Sequence, residues 1–339
     1  IGEDVVFSGL TLNRIMKVPG INSIKIGPSF KKIPLDLLLM LKTFSRLLTA
    51  KYDYIHTHEE AGFWGTLFAG IFRTPHLYDM HSSLPQQLSN FEFTNSRFLT
   101  AIFEKLEKWV LKNSVSVITI CPDLYDHVER VCPEKGSVLI ENVIDYGMIF
   151  GEQNRSTQIR KELKLDGRQV ALYTGTFEPY QGLDLLIEAA PLVQDDNPEI
   201  LFLLVGGSTA QVEEYQIKVE KAGLSELFRF TGQVRPNEVS GYISCADLLL
   251  SPRISGTNTP LKIYAYLRSG VPIVATRLHT HTQVLNDSVA MLTDPDPEGF
   301  GGGVCRLLAD KEHSTRLGKA AAELAMSQFS YKAYQAKLS

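Results

Sequence analysis

The sequence predicts an α/β protein made of two doubly wound domains, each built on a parallel sheet. Short apolar runs recur along the chain, and most are continuous rather than alternating, as in strands that are buried on both faces. Helical patterns of about 10–15 residues separate these runs and are long enough for the crossovers that parallel strands need. A length of 339 residues fits two such domains.

Strands and helices alternate in the order that this fold class requires. In the first half the predicted strands are 52–56, 76–80, 116–120 and 138–142, with helices over 35–50 and 96–113. In the second half the predicted strands are 170–174, 201–205, 229–232, 247–251, 272–276 and 290–293, with helices over 183–193 and 260–269. The alternation predicts one parallel sheet in each half.

A polar segment without sustained periodicity divides the two halves. The predicted first domain is 1–148, the linker is 149–160, the second domain is 161–325, and a C-terminal helix covers 326–339. The first 33 residues lack the strand, glycine-rich turn and helix that open a doubly wound domain. We therefore expect the first domain to lack its opening unit, because the chain is shorter than the natural protein, and the last helix to be cut as well.

Composition excludes several classes of protein. There are 34 basic and 38 acidic residues and a net charge of −4, so no general attraction to nucleic acid is expected. The four cysteines, Cys121, Cys132, Cys245 and Cys305, have no C-x-x-C spacing, which argues against a zinc site or a disulfide framework. The longest apolar run, 37–41, is too short to cross a bilayer, and no signal peptide is visible. We expect a cytoplasmic protein.

Three loops follow predicted strands of the second half, at the sheet edge where doubly wound proteins bind ligands. They are GTFEPYQG at 175–182, GGS at 206–208, and the polar loop 255–259, which leads into Pro260 and Lys262. Small residues allow the backbone to approach a ligand, and a helix N-terminus with a nearby lysine suits a phosphate. The plainer alternative is a set of turns and capped helices that bind nothing.

Four blocks of the second half together carry a resemblance to a known family. In order and spacing they resemble the donor-binding domain of glycosyltransferase family 4, retaining sugar transferases of the GT-B fold: YTGTFEPYQGLDLLIEAA, LFLLVGGS, FRFTGQVRPNEVSGYISCADLLLSP and TPLKIYAYLRSGVPIVAT. In the first half DYIHTHEEAGFWG and HLYDMHSSLP resemble the acceptor-side strands of that family, and VLIENVID resembles its P-N-G-V-D segment before the linker. The resemblance covers most of the chain from about residue 50.

This resemblance implies two Rossmann-like domains that face a cleft, with a nucleotide-sugar donor bound mainly by the second and a glycan or lipid-linked acceptor by the first. His81 matches a histidine that lies near the transferred sugar, where it serves catalysis; the alternative is a histidine with satisfied hydrogen bonds at a strand end. The implied donor-binding residues are Gly175, Thr176, Gln181, Gly206, Val234, Arg253, Thr257, Asn258, Thr259, Pro260, Leu261 and Lys262. Base recognition is expected from backbone groups around Val234.

Four positions depart from the family pattern. Thr176 and Gln181 stand where members usually carry an Arg and a Lys, and Thr257 and Ala265 stand where members usually carry two glutamates. Alanine cannot accept hydrogen bonds from a ribose, so roughly 1.5–3 kcal/mol of charged hydrogen bonding is missing unless it is replaced. We hypothesise that Arg253, Lys262 and the backbone N–H groups of 258–261 bind the diphosphate instead.

The histidine-rich segment HTHE suggests a metal site only weakly. His56, His58 and Glu59 are metal-ligating residue types, but the H-x-H spacing is short and no third cluster of ligands is evident. Enzymes of the GT-B fold generally need no catalytic metal. We therefore expect no metal and no cofactor, only the nucleotide-sugar as substrate.

The predicted helix over 35–50 is strongly apolar and follows three lysines, Lys25, Lys31 and Lys32. One interpretation is docking at the inner face of a membrane, near a lipid-linked acceptor. The plainer interpretation is a crossover helix packed on the sheet, because its apolar residues cover more than one face.

These observations favour a retaining glycosyltransferase of glycan, polysaccharide or glycolipid synthesis. Two alternatives stay open at this point. One is a non-catalytic relative that acts as a binding or partner subunit, favoured by the four departures. The other is a nucleotide-sugar epimerase of GT-B type, which would require acidic and histidine side chains around the donor.

Overall fold

A computed structural model of the chain describes residues 13–16, 32–83, 85, 97–141 and 153–338. It divides into two compact units, Ile1–Ile140 and Glu141–Ser339. This division lies eight residues before the end predicted for the first domain. A helix forms over Gln153–Glu162, which begins within the predicted linker and ends two residues beyond it. Its sequence contains neither glycine nor proline, and Ile159 is buried in the core of the second unit, which explains why this polar segment is helical.

The first unit contains a four-stranded parallel sheet in the order β1-β2-β3-β4. Its elements are α1 (Ile33–Thr49), β1 (Ile55–His58), α2 (Ala61–Phe72), β2 (His76–Met80), α3 (Arg97–Asn113), β3 (Ser116–Thr119), α4 (Pro122–Val131) and β4 (Ser137–Leu139). The first strand begins three residues later than predicted, because the ladder starts where the Ile55 N–H donates to the Pro75 carbonyl. The predicted absence of an opening unit concerns residues that lie largely outside the described ranges.

The second unit contains a six-stranded parallel sheet. Its elements after α5 (Gln153–Glu162) are β5 (Gln169–Gly175), α6 (Leu183–Asp196), β6 (Ile200–Gly206), α7 (Thr209–Lys221), β7 (Phe228–Gly232), α8 (Val239–Ile243), β8 (Leu248–Ser251), α9 (Lys262–Ser269), β9 (Ile273–Thr276), α10 (His279–Thr282), β10 (Met291–Thr293), α11 (Pro297–Ala309), α12 (Lys311–Gln328) and α13 (Tyr331–Leu338). All six strands were predicted, each end to within one residue. In the second half, local sequence therefore predicts nearly all of the strand positions.

The strand order of this sheet is β10-β9-β8-β5-β6-β7. The chain thus starts in the middle of the sheet, moves outward through β7, then returns to β8 and moves outward the other way. Apolar side chains pack on both faces of the sheet in two separate clusters. This is a doubly wound, Rossmann-like domain, as predicted.

The apolar helix α1 packs against α2. The Phe44 ring lies 5.4 Å from the ring of Phe68 and 5.7 Å from that of Phe72, both on α2. None of its side chains is fully buried, and Leu37 and Leu41 are more than half exposed. No helix within the described residues is long and apolar enough to span a membrane. Docking of α1 at a membrane surface stays a prediction.

Candidate functional site

In the second sheet, the order in which the chain adds strands reverses between β5 and β8, which are hydrogen-bonded neighbours. In an open parallel sheet such a switch point leaves a crevice outside the carboxyl ends of the two strands, where ligands bind. The loops that leave these two strands carry Gln181 and Arg253, and Lys262 begins the helix that follows the second loop. The structure therefore brings most of the predicted donor-binding residues to one edge.

Lys262 reaches from α9 to the loop that follows β5. Its Nζ lies 3.7 Å from the centre of the Tyr173 ring and donates to Gln181 Oε1 at 3.2 Å. Lys262 thus lies beside position 181, where the resemblance implies a lysine. Burial, and then repulsion from Arg253, hold the pKa of Lys262 well below its ordinary value.

Arg253 stiffens the loop that follows β8. Its guanidinium donates to the carbonyl of Ser255 at 2.7 Å and to that of Asn258 at 3.1 Å, and its central carbon lies 5.0 Å from the centre of the Tyr180 ring. Burial lowers the pKa of Arg253, although a guanidinium stays charged at any physiological pH. The side chain thus orders the loop and brings a fixed positive charge to the edge of the sheet.

Neither cation has an acidic partner. Within the described ranges, no Asp or Glu oxygen lies within salt-bridge distance of Arg253 or Lys262. Both side chains are only partly exposed to solvent. Two partly desolvated basic groups without an acidic partner among the described residues suit an anion, because an incoming negative charge stabilises their protonated forms.

Side chains at the end of β9 and in and just after α10 hold the carbonyl groups of the loop that follows β8. Thr276 Oγ1 donates to the Arg253 carbonyl at 2.5 Å, Thr280 Oγ1 to the Asn258 carbonyl at 2.5 Å, and Gln283 Nε2 to the Thr257 carbonyl at 2.6 Å. In a trans peptide the C=O and the next N–H point in opposite directions. The N–H groups that follow Thr257 and Asn258 therefore point away from α10.

His281 supports this loop through contacts with Ser251 and Thr276, the last residues of β8 and β9. It is fully buried; Ser251 Oγ lies 2.8 Å from its Nε2, and its Nδ1 donates to the Thr276 carbonyl at 2.8 Å. Burial above all lowers the pKa of His281 to about 4. The ring is neutral at physiological pH and acts as a fixed hydrogen-bonding support.

Thr259 adds an unsatisfied hydroxyl at the same place. Its side chain is only 7% exposed, and Oγ1 has no hydrogen-bond partner within the described part of the chain. A buried polar atom without a partner costs stability unless a ligand or water satisfies it. Pro260 is buried beside it, whereas Leu261 is exposed.

Two glycines allow the loops of this edge to touch. Gly182 has φ of 75°, and a Cβ there would lie 1.9 Å from the Pro252 carbonyl oxygen, so the loops after β5 and β8 meet backbone to backbone. Gly206 has φ of 124°, and a Cβ there would lie 1.9 Å from the Gly175 carbonyl oxygen. No larger side chain fits at either position without moving the backbone.

A separate cavity lies at the carboxyl ends of β6 and β7. Its volume is about 410 Å³, and its lining includes Gly207, Thr209, Phe230 and Gln233. The side chain of Val234 packs against the core, so this residue offers only its backbone to a ligand. The Thr176 carbonyl accepts from Tyr173 Oη at 2.6 Å, and the Thr176 side chain is exposed.

The carboxyl edge of the first sheet has a different chemistry. Asp79 of β2 is surrounded by three imidazoles: His56 Nε2 lies 3.5 Å and His58 Nδ1 lies 3.3 Å from its Oδ2, and His81 Nε2 lies 3.2 Å from its Oδ1. The nitrogen His58 Nδ1 is also 3.3 Å from His81 Nε2. Glu59, the acidic residue that the sequence analysis considered, instead accepts from Ser82 Oγ at 3.4 Å.

The pKa shifts in this cluster reflect burial and the contacts between the carboxylate and the imidazoles. Burial would raise the pKa of Asp79, but the hydrogen bond with His81 and the nearby imidazoles outweigh it and lower that pKa. The hydrogen bond to Asp79 raises the pKa of His81, whereas burial lowers the pKa of His58. His81 is therefore a hydrogen-bond donor that one carboxylate orients.

The predicted site residues thus form two groups, His81 in the first unit and the donor-binding set in the second. Sequence reasoning missed Asp79, the aromatic support from Tyr173, and the loop anchors Thr280 and His281. Asp79 joins the cluster through the register of the β1–β2 pair, in which residue 58 and residue 79 are opposite one another, and local sequence does not fix that pairing. The loop anchors likewise depend on contacts between separate elements, since they act from an element that follows the next strand.

Family models match both halves of the chain. Residues 154–324 match the model described as "Glycosyl transferases group 1", and residues 12–147 match the model described as "Glycosyltransferase Family 4". Among curated proteins, the chain is similar to D-inositol 3-phosphate glycosyltransferase of Corynebacterium glutamicum, with 24% identity over 92% of this chain and 78% of that protein. It is also similar to alpha-D-kanosaminyltransferase of Streptomyces kanamyceticus, with 23% identity over 88% of this chain and 79% of that protein.

Solved structures agree in fold. Sucrose-phosphate synthase from Thermosynechococcus elongatus aligns with a TM-score of 0.81 and 22% identity, covering 99% of this chain and 84% of that one. Anabaena HepE in complex with UDP aligns with a TM-score of 0.73 and 18% identity, covering 90% of this chain and 82% of that one. At these identities the likeness establishes the fold and leaves substrates open.

Proposed function

The chain belongs to the glycosyl transferases group 1 family and is a glycosyltransferase of the GT-B fold, and on this premise we propose that it transfers a sugar from a nucleotide-sugar donor to an acceptor hydroxyl with retention of anomeric configuration. The second unit binds the donor, and the first unit binds the acceptor. Glycan and lipid-linked hydroxyls are the acceptor classes that we expect.

The observation that carries this proposal is the pair of cations at the switch point of the second sheet. Arg253 and Lys262 have no acidic partner within the described ranges, and an unpartnered threonine hydroxyl lies in the same loop. A diphosphate matches this arrangement, because it brings two negative charges and several acceptor oxygens. Among similar structures, that of Anabaena HepE holds UDP, which supports a nucleotide-sugar as the donor.

The proposed reaction needs stabilisation of a leaving group more than a protein nucleophile. The bond between the anomeric carbon and the phosphate oxygen breaks, and the acceptor oxygen forms its bond to that carbon on the same face of the sugar. The acceptor proton passes to an oxygen of the departing diphosphate. Arg253, Lys262 and the N–H groups that follow Thr257 and Asn258 stabilise the negative charge that develops on that diphosphate.

His81 has a supporting role in this proposal. Its ring is partly exposed, and Asp79 both orients it and favours its protonated form. An imidazole in that state donates a hydrogen bond to a sugar hydroxyl or to developing negative charge. His81 therefore contributes to transfer rather than to donor binding.

The absence of the two family glutamates changes which contacts we expect to bind the donor. Thr257 and Ala265 offer no carboxylate to the donor sugar or to the ribose, so binding depends more on the diphosphate than in relatives that keep both acids. The hydroxyl of Thr259 and the cations supply the remaining contacts. We expect a donor affinity that is correspondingly more sensitive to salt, since screening weakens charge contacts first.

Calorimetry with UDP-, GDP- and ADP-sugars tests the proposal at its first step. The expected result is binding of one nucleotide-sugar class, and binding that falls in Lys262→Met and Arg253→Ala. Transfer to glycan and lipid-linked acceptors is then assayed with the preferred donor. The anomeric configuration of the product is determined by NMR. Binding without transfer or hydrolysis would overturn the enzymatic proposal, and an inverted product would overturn retention.

A further inference from the structure

The imidazole and carboxylate cluster of the first unit has ligand atoms where one ion could bind them. His56 and His58 are two residues apart on β1 and therefore lie on the same face of the strand. Asp79 is directly opposite His58 in the register of the parallel β1–β2 pair, so its carboxylate joins the same face. The three ligand atoms all lie within 4.8 Å of one another.

The spacing of these atoms fits a first coordination sphere. Ligands at the bond lengths of zinc to nitrogen and oxygen, arranged tetrahedrally, are about 3.3–3.5 Å apart. The two measured separations to Asp79 Oδ2 are 3.5 Å from His56 Nε2 and 3.3 Å from His58 Nδ1. Both histidines are partly exposed, so small rotations of their rings need no repacking of the core.

We propose that His56 Nε2, His58 Nδ1 and Asp79 Oδ2 bind one divalent zinc ion in a three-ligand site with an open fourth position. Two imidazoles and one carboxylate are a donor set that favours borderline transition ions over Mg²⁺ or Ca²⁺, which prefer oxygen. The fourth position takes a water or an oxygen of a ligand bound to the first unit. This site shares Asp79 and His81 with the proposed function but involves none of the donor-binding residues, so zinc binding is measured apart from nucleotide-sugar binding and transfer.

His81 is a positioning residue for this ion. Its Nε2 lies against Asp79 Oδ1, the oxygen that does not face the other two histidines. A partner on the far oxygen of a ligating carboxylate fixes its orientation and commonly changes metal affinity by about 10–100-fold. We therefore expect His81→Ala to weaken zinc binding less than removal of a ligand does.

The test uses the full, tag-free chain, stripped with a chelator and titrated with ZnCl₂ in a calorimeter. CoCl₂ serves as a second probe, because Co²⁺ with few ligands absorbs visible light far more strongly than hydrated Co²⁺. The expected result is one Zn²⁺ per chain and a cobalt spectrum of low coordination number. His58→Ala and Asp79→Asn are expected to weaken binding at least tenfold.

His313→Ala is the matched control, because it removes a histidine of α12 in the second unit and leaves the cluster intact. Asp79→Asn keeps the shape of the side chain, and circular dichroism without metal verifies that each variant is folded. Absence of stoichiometric zinc binding in the unaltered chain would overturn the proposal. So would equal affinity in the unaltered chain and in folded Asp79→Asn and His58→Ala.

Discussion

Two parallel sheets of this chain end in edges of opposite chemistry. The edge of the second sheet holds two basic side chains, Arg253 and Lys262, without acidic partners among the described residues. The edge of the first sheet holds three imidazoles around the carboxylate of Asp79. Because parallel strands send their carboxyl ends to the same side, topology supplies the place in both units, and the residues after each strand decide what binds there. The second edge suits an anion, and the first suits a metal or a proton.

The largest expected effect comes from removing the charges of the second edge. Each charged hydrogen bond to a diphosphate contributes about 1.5–3 kcal/mol, so Lys262→Met should weaken nucleotide-sugar binding by about 10–100-fold. The double variant with Arg253→Ala should lose about 10²–10⁴-fold. Methionine has a similar length without the charge and can still lie against the Tyr173 ring, over which the Lys262 ammonium lies, so the loss reports charge rather than packing.

Lys319→Ala is the control for this comparison, because Lys319 lines a cavity beside Gly270, Val271 and Pro272, which precede β9, at the opposite end of the sheet. It removes one positive charge from the same unit without touching the candidate site. Equal losses in Lys319→Ala and Lys262→Met, measured by calorimetry, would mean that general electrostatic attraction binds the nucleotide and not these two placed cations.

A second comparison concerns one buried histidine in each unit. In the first, His76 contacts the hydroxyls of Thr57, Thr66 and Ser114, and burial above all lowers its pKa to about 4. In the second, His281 has the same pKa of about 4. Unfolding restores the ordinary value, so the unfolded chain binds more protons and stability falls as pH drops from about 6.5 towards 4. Each ring should cost about 2 kcal/mol between pH 7 and pH 5.

Urea unfolding separates the two contributions, because the two tryptophans, Trp64 and Trp109, are both in the first unit. Tryptophan fluorescence follows the first unit, and far-ultraviolet circular dichroism follows both. His76→Gln should flatten the pH dependence of the fluorescence transition, and His281→Gln should flatten only that of the dichroism. An unchanged acid sensitivity in both variants would show that other groups control it.

The two edges also differ in how far the sequence predicted them. Apolar runs identify buried strands from local sequence alone, and topology then assigns the residues after each strand to a ligand edge, so Arg253 and Lys262 could be found in advance. The cluster at Asp79 depends on which residue of β1 is opposite which residue of β2, and register is a pairing between distant segments. The contact between Lys262 and Gln181 also needs the fold, because 81 residues separate them.

Restoring one acidic group tests whether the second edge binds its ligand through basic groups alone. Ala265 is partly buried on α9 beside the core, at the position where family members usually carry a glutamate. Ala265→Glu should strengthen nucleotide-sugar binding by up to about tenfold, because a carboxylate accepts hydrogen bonds from the ribose hydroxyls. Ala265→Gln matches its size without the charge. Weaker or equal binding of Ala265→Glu, measured by calorimetry, would mean that the ribose lies elsewhere.

The smallest effect is a proton taken up when the nucleotide-sugar binds. The pKa of Lys262 in the free protein lies well below its ordinary value of 10.5, mainly because of burial, and a bound diphosphate favours the charged amine. Above the depressed pKa, binding therefore takes up a fraction of a proton, and affinity falls as pH rises towards the pKa of the complex. Calorimetry in HEPES and in Tris, which differ in ionisation enthalpy, measures that fraction. Lys262→Met should abolish it, and His313→Ala should preserve it. A binding enthalpy that is the same in both buffers throughout this pH range would mean that Lys262 does not meet the diphosphate, and the cationic character of the second edge would then rest on Arg253 alone.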